Sequence, residues 1–594
     1  MNPLVDDRDV AVILDELLDL KALQALPYFA EHDRESYEMV LDSARSLARD
    51  VLFPAYRMLD LAPPTLVDGR VHVHPELAPL VRRIIDLGFT SAPRPAGVGG
   101  AQLPLTVFSM ATAYLMAGNA SVYGYVGLTQ GAAHLLEAFA SEELRSTYMA
   151  PMYRGEYMGT MALTEPHAGS SLADITTTAT PAGDHYLLSG AKIFISGADH
   201  DMTENIVHMT LARIAGAPAG MRGVSLFCVP KRRVAKNGDS RTLVDNDVAI
   251  TGLVHKIGWR GLPSAILAYG ERGDCHGWLV GEPHQGIRYM FQMMNEARIM
   301  VGLNGVATAS VAYHESLAYA RDRTQGRQLG AKDAGQVSII QHADVRRMLL
   351  RQKAIVTGGL ALLARASYYA DLAAHADGEV RDNAQLLLDV LTPIVKSFPA
   401  EKGFESNVLA LQIHGGYGYS SEYLPESWLR DQKLNSIHEG TTGIQAADLL
   451  GRRVMAKGAL PAVGKAIAAA CARAKAAGVD AAWIAEVERA VGTVGSLTME
   501  LGQRGMSGDA NGMMLHATDY LDLFATVIIA WQWIELAAIA HAHAGDDDQD
   551  DGYHRGLLAA AQYWIYTELP RIDVLAKLCR DAESSYGSLD PAWL

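Results

Sequence analysis

Residues 412–445 carry the clearest signal in the chain and read QIHGGYGYSSEYLPESWLRDQKLNSIHEGTTGIQ. They connect two segments whose apolar residues recur at helical spacing, 382–414 and 440–456. The glycines at 415 and 416 therefore follow a helix and not a strand, which argues against a Rossmann fold. For these two glycines, a simple helix C-cap and a functional role are equal alternatives. Glu439 precedes a glycine and two threonines at the start of the second helix. The segment is either an N-cap made by Thr441 or Thr442, or a carboxylate base held beside a ligand.

Outward from this stretch, the chain alternates between helical and β texture. Helical spacing dominates before residue 152 and again after Gly286, whereas short β-favouring runs separated by turn residues begin near Met158. These runs are Tyr186–Leu188, Ile193–Ser196, Ile206–Leu211, Val224–Val229, Val248–Leu253 and Ala265–Tyr269. From about Gly458 the composition shifts toward alanine, and helical spacing continues to the end. The pattern predicts a mostly α protein with a central antiparallel β domain and a separate helical addition at the C-terminus.

Composition and charge exclude several classes of function. The chain has 594 residues with 51 basic and 67 acidic side chains, a formal charge of -16 that disfavours nucleic acid as a partner. The four cysteines form no CxxC pair, so neither a zinc site nor a disulfide framework is predicted. Because 49% of the residues are hydrophobic, a chain this long can bury a large core without such cross-links.

Targeting and membrane signals are weak. The start carries Asp6, Asp7, Arg8 and Asp9, which does not fit a secretory signal, and a cytoplasmic location is expected. The most apolar stretch, 523–540, contains Gln532 and Glu535 and is interpreted as a buried helix instead of a membrane span. The acidic run 546–551 lacks the glycine and the glutamate of a calcium loop, so we interpret it as a solvated connection.

Three segments, taken in order, resemble the acyl-CoA dehydrogenase family. They are Met161–Ser171, Gln412–Tyr419 and Ile437–Gln445, and the stretch Gln412–Gln445 matches the family without a gap. Further anchors are Lys192–Gly197, Asn295–Arg298 and Tyr319–Arg323, and the whole resemblance runs from about residue 37 to 453. It is closest to the branch with an N-terminal extension and an extra C-terminal helical domain. The implied domains are 1–35 (helical extension), 36–157 (N-terminal helical domain), 158–275 (β domain), 276–457 (FAD- and CoA-binding helical domain) and 458–594 (additional helical domain).

The resemblance implies a role for particular residues. Glu439 is the expected catalytic base. The expected FAD contacts are Met161, Thr164, Phe194, Ser196 and Thr441, with Arg323, Gln412, Gly415 and Gly416 reaching the FAD of a partner subunit. The expected CoA contacts are Ser170, Asn295 and Arg298. Three positions depart from the common pattern: Ser171 replaces a frequent aspartate, Phe194 a tryptophan, and His438 a tyrosine. His438 matters most, because an imidazole can change the pKa of the neighbouring base.

The activity implied by the resemblance is the α,β-dehydrogenation of an acyl-CoA thioester. FAD is the expected cofactor, electron-transferring flavoprotein the expected electron acceptor, and a homodimer the expected assembly. The branch indicates 3-methylmercaptopropionyl-CoA or another short or medium acyl-CoA as substrate, with broad or long-chain specificity as the alternative. An acyl-CoA oxidase that uses oxygen is a second alternative. A flavoprotein relative that binds DNA without catalysis is a remote third, which the charge of -16 disfavours.

Overall fold

The computed structural model describes residues 2–237, 240–330, 335–543 and 551–594, without the side chains of 236, 237, 240, 241, 292–295 and 551. The chain divides into two compact units. The helical unit comprises Met1–Tyr37, Pro104–Ala113 and Arg298–Leu594. The sheet unit comprises Glu38–Leu103 and Tyr114–Ala297. Residues 546–550 of the acidic run lie outside the described residues, so the interpretation of this run as a solvated connection stays a prediction.

The sheet unit is built on strands numbered in chain order. They are β1 Thr65–Val67, β2 Arg70–His72, β3 Tyr157–Ala162, β4 Thr178–Ala182, β5 His185–Ser196, β6 Asn205–Ile214, β7 Val224–Pro230, β8 Arg232–Asn237, β9 Ser240–Asp245, β10 Val248–Leu253, β11 Ser264–Tyr269 and β12 His276–Leu279. The main sheet has eight strands in the order β10-β11-β5-β12-β7-β6-β3, with β4 paired to β5 and β6. The strands β1 and β2, and likewise β8 and β9, form separate hairpins.

The predicted β runs coincide with strands of this main sheet. The runs at Ile206 and Val224 lie in β6 and β7, which are buried along almost their whole length, as expected for strands covered on both faces. The two runs 186–188 and 193–196 are one strand, β5, because Gly190 between them keeps its pairing with Tyr269. Most pairings are antiparallel as predicted, but β3 and β4 each pair with β6 in parallel.

Helices precede and follow the sheet. Those in or entering the sheet unit are Arg34–Leu47, Tyr56–Leu61, Leu77–Asp86, Leu105–Phe139, Glu142–Leu144, Ala150–Tyr153 and the first part of Gly286–Asp322. Helix Leu105–Phe139 is interrupted at Asn119, whose φ of -164° is not helical. The Asn119 side chain accepts a hydrogen bond from Val122 N at 3.3 Å and so caps the helical turns that follow.

The described residues of the helical unit form helices joined by loops, without a strand. Its helices are Asp7–Val12, Leu20–Gln24, the remainder of Gly286–Asp322, Ala343–His375, Gly378–Ile413, Pro425–Lys433, Thr442–Asp448, Ala459–Ala476, Ala481–Met506, Ala510–Met514, Ala517–Ala542, Asp551–Tyr563 and Ile572–Asp581. Helices Ala343–His375 and Gly378–Ile413 pack side by side and carry long buried apolar faces. The N-terminal helix is attached to them, since Thr357 donates a hydrogen bond to the buried Asp9 carboxylate at 2.5 Å.

The C-terminal helices form the predicted addition but do not stand apart from the rest of the helical unit. Trp533 Nε1 donates to Ala354 O at 3.1 Å, and a Cβ at Gly358 would lie 2.8 Å from that nitrogen. Arg365 Nε donates to Gln532 Oε1 at 2.7 Å in the same interior. The alanine-rich composition suggested independence, but the apolar helix Ala517–Ala542 needs a partner surface and finds it on Ala343–His375.

Within the described ranges, two helices have the length and apolar character of a membrane span. They are Leu105–Phe139 and Ala517–Ala542, and 94% and 89% of their most apolar windows are buried inside the protein. Burial of this extent is typical of core helices.

Candidate active site

The sheet unit places four predicted flavin contacts on two adjacent segments. Met161 lies near the end of β3 and Thr164 two residues beyond that strand, while Phe194 and Ser196 end β5. The backbone joins the two segments, because Ile193 N donates to Thr164 O at 2.9 Å. Sequence positions about 30 apart therefore form one local surface.

Phe194 lies at a β-bulge between β5 and β11. Ile195 pairs with Ala265, whereas Lys192 pairs with Leu267, so two residues of β5 face one residue of β11. Phe194 has a φ of 62°, a left-handed conformation that bulky side chains rarely adopt, and it is 60% exposed. The bulge turns an aromatic ring out of the sheet, which suits a position predicted to pack against a flavin.

A buried ion pair organises the loop that follows β3. Lys192 Nζ donates to Glu165 Oε1 at 2.8 Å and to Leu163 O at 3.0 Å, and the lysine is fully buried. The Glu165 carboxylate also accepts backbone and hydroxyl hydrogen bonds from Thr176 and Thr177. Burial by itself raises the pKa of Glu165, but the charge and hydrogen bond of Lys192, with those of the threonines, lower it to about 2.

This loop carries Ser170, the predicted CoA contact of the sheet unit. Ser170 is exposed, and Glu165 and Ala168 just before it close a tight turn with two backbone hydrogen bonds of 3.0 Å. The serine hydroxyl thus lies on a short loop whose base is fixed from inside by Glu165. Because the loop is already held in place, it loses little conformational entropy when its hydroxyl binds a ligand.

In the helical unit, Glu439 lies on a strained loop before helix Thr442–Asp448. Glu439 has a φ of 54° and Gly440 a φ of 91°, so two successive residues are left-handed. The loop is held by Gln445, whose Nε2 donates to Glu439 O at 3.1 Å and to Gly440 O at 3.4 Å. A Cβ at Gly440 would lie 2.6 Å from the same amide nitrogen, so this position needs glycine.

The electrostatics of Glu439 favour a base. Burial raises the pKa of its carboxyl above the ordinary value, and the nearby cations Lys396 and Arg298 limit the rise. His438 does not add a charge: burial lowers its pKa to about 4, and its Nδ1 lies 2.8 Å from Leu434 O. The departure at His438 therefore places a neutral imidazole before the base.

Thr441 and Thr442 have separate structural roles. Thr441 is the N-cap of helix Thr442–Asp448 and accepts from Ile444 N at 3.4 Å, as one interpretation of the sequence predicts. Thr442 donates its hydroxyl hydrogen bond to Glu401 on helix Gly378–Ile413. The capping contact of Thr441 does not test its predicted FAD contact, which stays a prediction.

The two CoA contacts predicted on helix Gly286–Asp322 differ in what the structure describes. The side chain of Asn295 lies outside the described residues. Arg298 is 2% exposed, and its Nη1 donates to Asp448 Oδ2 at 2.7 Å. This ion pair does not test the predicted contact of Arg298 with CoA, which stays a prediction.

The predicted contacts to a partner's FAD lie around one groove of the helical unit. A cavity of about 640 Å³ is lined by Arg323, Gly415 and Gly416, together with Tyr319, Tyr417 and other residues. Gly415 has a φ of 59°, and a Cβ at either glycine would meet nothing within 4 Å. The open glycine backbone beside an arginine fits an anionic group such as the pyrophosphate of a dinucleotide. The exposed Gln412 lies in the last turn of the helix before the groove.

Sequence reasoning gave no role to three charged residues beneath these surfaces: Glu165, Lys192 and Lys396. All three are buried although they are charged, and a buried charge is rare unless it has a partner or a function. A signal was present for Lys396, which lies within the apolar segment 390–400 of a helix. For Glu165 and Lys192 the pairing partner is 27 residues away, so no local pattern identified it.

Comparison with known families covers nearly the whole chain. Four family profiles match in succession: "Acyl-CoA dehydrogenase, N-terminal domain" over residues 34–156, "middle domain" over 160–268 and "C-terminal domain" over 284–455, followed by "Acetyl-CoA dehydrogenase C-terminal like" over 463–590.

Two curated relatives and one solved structure extend the comparison. The 3-methylmercaptopropionyl-CoA dehydrogenase of Ruegeria pomeroyi is 39% identical over 452 residues, which are 76% of each chain. A butyryl-CoA dehydrogenase of Syntrophomonas wolfei is 31% identical over 605 aligned positions, 98% of each chain. The structure of an acyl-CoA dehydrogenase from Bacillus anthracis complexed with FAD has a TM-score of 0.72 at 20% identity, covering 96% of this chain and 91% of that one. This last likeness shows the fold alone.

Proposed function

Because the chain belongs to the acyl-CoA dehydrogenase family, we propose that it converts an acyl-CoA thioester to the trans-2-enoyl-CoA with FAD as cofactor. The observation that carries the proposal is Glu439. It is a carboxylate with a raised pKa, on a strained loop held by Gln445, in the stretch that matches the family without a gap. A base whose pKa lies closer to the working pH transfers protons more efficiently.

The residues of the helical unit perform the proton chemistry. Glu439 takes the α proton of the thioester, and its own backbone N–H polarises the thioester oxygen, where negative charge develops. Bound FAD supplies the acceptor for the hydride that leaves Cβ. Arg298 acts on Glu439 from the interior, where Asp448 fixes the position of its guanidinium.

The residues of the sheet unit are assigned to binding and orienting the flavin and the CoA part of the substrate. Thr164 and Ser196 are assigned to hydrogen bonds with the flavin ring, and Met161 and the exposed Phe194 to packing against it. Fixing the reacting groups in advance contributes to the rate by reducing the entropy lost in the transition state. Ser170 is assigned to CoA, as are Asn295 and Arg298 of the helical domain.

The electron acceptor and the assembly are further parts of the proposal. Electron-transferring flavoprotein is the proposed acceptor. A homodimer is proposed because Arg323, Gly415 and Gly416 offer an open anion cradle, which the resemblance assigns to the FAD of a second subunit. Mass measurement in solution tests the assembly, and a monomer that retains FAD would contradict it.

The proposed substrate is 3-methylmercaptopropionyl-CoA or another short or medium acyl-CoA. The relative from Ruegeria pomeroyi bears the first name, and the one from Syntrophomonas wolfei is named for butyryl-CoA. The test is to mix anaerobic, FAD-loaded protein with butyryl, octanoyl, palmitoyl and 3-methylmercaptopropionyl thioesters and follow the visible flavin absorbance. Rapid bleaching supports the proposal and ranks chain length. No bleaching by any thioester would contradict it, and rapid peroxide formation in air would favour an oxidase.

A further inference from the structure

Lys396 is a buried lysine that the proposed chemistry has not yet used. It lies in helix Gly378–Ile413 and is fully inaccessible to solvent. Its Nζ has no hydrogen-bond partner among the residues that the structure describes. Removing an ammonium group from water is costly unless opposite charge compensates it. The carboxylates near Lys396 must therefore compensate the cost of burying its charge.

Two carboxylates act on Lys396, those of Glu401 and Glu439. Glu401 lies on the same helix and accepts a hydrogen bond from the Thr442 hydroxyl, three residues after Glu439. Gln432 Nε2 also donates to Pro399 O at 2.8 Å. The helix that carries Lys396 is thus hydrogen-bonded to the chain on both sides of Glu439, at Gln432 before it and at Thr442 after it.

Arg298 is the other cation that acts on Glu439, but it already has a close counterion. Its Nη1 lies 2.7 Å from Asp448 Oδ2, within hydrogen-bond distance. Asp448 is in turn shared with Arg452 and Arg453. Among the described residues Lys396 has no such contact. The carboxylates that act on it are those of Glu401 and Glu439, and Arg298 is a cation that opposes its charge.

The charge states fit this arrangement. Burial lowers the pKa of the Lys396 ammonium to about 8, so the group still carries its charge at neutral pH. Burial raises the pKa of Glu439, and the charge of Lys396 opposes this rise more strongly than the charge of Arg298 does. Without Lys396, the carboxyl would hold its proton to a higher pH and would be a base over a narrower range.

We propose that Lys396 is the internal countercharge of Glu439, a positioning residue that keeps the base ionised without touching the substrate. This inference rests on the proposed function, since it assigns to Lys396 the pH range in which Glu439 can take the α proton. When Glu439 has taken the proton, Glu401 is the carboxylate that still faces the ammonium.

The test is the pH profile of anaerobic flavin reduction in FAD-loaded Lys396→Met. We expect the acid limb to move to higher pH by about one unit, which is about a tenfold loss of rate below the limb and near-recovery above it. Lys396→Arg retains the positive charge and is expected to keep the limb near its wild-type position. An unshifted limb in Lys396→Met, with FAD bound, would overturn the proposal.

Lys402→Met is the matched control on the same helix. Lys402 is also largely buried, but it is paired to Glu405 at 3.1 Å and to Asp522 at 3.2 Å. It is expected to lower the melting temperature without moving the acid limb. An equal shift in Lys402→Met would show that the effect is structural and would overturn the role of Lys396.

A second measurement does not require turnover. Infrared difference titration locates the protonated carboxyl band that is missing in Glu439→Gln, and this band should titrate at higher pH when Lys396 is replaced. Lys396→Gln, which keeps a polar side chain, serves if the methionine variant does not fold. An unchanged titration in that variant would contradict the proposal. Failure of wild-type protein to be reduced by any acyl-CoA would instead contradict the proposed function, so the two failures are distinguishable.

Discussion

Lys192 and Glu165 form a fully buried ion pair of 2.8 Å directly behind the predicted flavin and CoA contacts of the sheet unit. The pair joins β5, which carries Phe194, to the loop that carries Ser170. Glu165 has further donors in Thr176 and Thr177, so nearly all of its hydrogen-bonding capacity is used. The two surfaces that the family resemblance assigns to different ligands therefore share one internal support.

Replacing Lys192 by methionine should destabilise the protein strongly. The change leaves the Glu165 carboxylate buried without its counterion, for which about 3–5 kcal/mol is expected. Urea unfolding followed by far-UV circular dichroism measures the loss. Lys577→Met is the control, because Lys577 and its partner Asp581 are both exposed and such surface pairs contribute little to stability. The double variant with Glu165→Gln should recover part of the loss, and equal losses in both lysine variants would refute the prediction.

The contribution of the Lys192–Glu165 pair to the free energy of unfolding should disappear at low pH. The pKa of Glu165 is lowered from 4.5 to about 2, so its contribution is complete above pH 4.5 and disappears as the pH falls toward 2. This difference corresponds to on the order of 3 kcal/mol. Wild-type protein should therefore lose more unfolding free energy between pH 5 and pH 3 than Glu165→Gln does, as measured by urea unfolding at each pH. Parallel curves for the two proteins would contradict this.

Glu439→Gln should retain FAD and lose flavin reduction by substrate. The amide has nearly the shape of the carboxylate but cannot take a proton, and general-base catalysis contributes about 10²–10⁴-fold. The measurement is stopped-flow absorbance of the anaerobic protein mixed with the best thioester of the panel. Glu401→Gln is the comparison variant. Glu401 accepts a hydrogen bond from Thr442 and contacts no reacting group in the proposed scheme, so this variant should lose much less of the rate than Glu439→Gln does. Rapid bleaching of Glu439→Gln would require another base.

Sequence reasoning reached the fold because its signals are local, whereas the site residues follow from the family resemblance and stay predictions. The short β runs of 186–269 were predicted from β-favouring residues and the turns between them, while the residues of 412–445 by themselves left helix capping and a ligand site as alternatives. What was missed depends on tertiary packing. Nothing near Phe194 in sequence predicts that a register shift against Ala265 and Leu267 makes it left-handed. Likewise, the alanine-rich composition after 458 gave no sign that Trp533 packs on Gly358.

Glu535→Ala should destabilise the whole helical unit and not the C-terminal helices alone. The Glu535 carboxylate is buried and accepts hydrogen bonds from Arg365 and Arg473, and Arg365 also lies 4.6 Å from the Trp531 ring. Removing the carboxylate leaves the Arg365 charge buried, for which about 3–5 kcal/mol is expected. Calorimetry should show a lowered melting transition, while Glu486→Ala, which breaks the exposed pair with Arg489, should change little. An unaltered transition in Glu535→Ala would show that the addition is independent.

Gly440→Ala should slow flavin reduction while leaving most of the protein intact. A side chain at a φ of 91° is strained, and its Cβ would meet Gln445 Nε2 at 2.6 Å, the group that holds Glu439 O and Gly440 O. Either the loop or Gln445 must move, and a displacement of about 1 Å at a catalytic group can cost about 10²-fold in rate.

Gly443→Ala is the matched control for this prediction. It lies in the first turn of helix Thr442–Asp448, and its added Cβ would come no closer than 3.9 Å to Thr441 Oγ1. Stopped-flow reduction should therefore fall in Gly440→Ala and stay near the wild-type rate in Gly443→Ala, with FAD content and melting temperature measured on both. If Gly440→Ala reduced its flavin at the wild-type rate, the left-handed loop would not be what positions Glu439. The search for the positioning element would then turn to the hydrogen bond between Thr442 and Glu401.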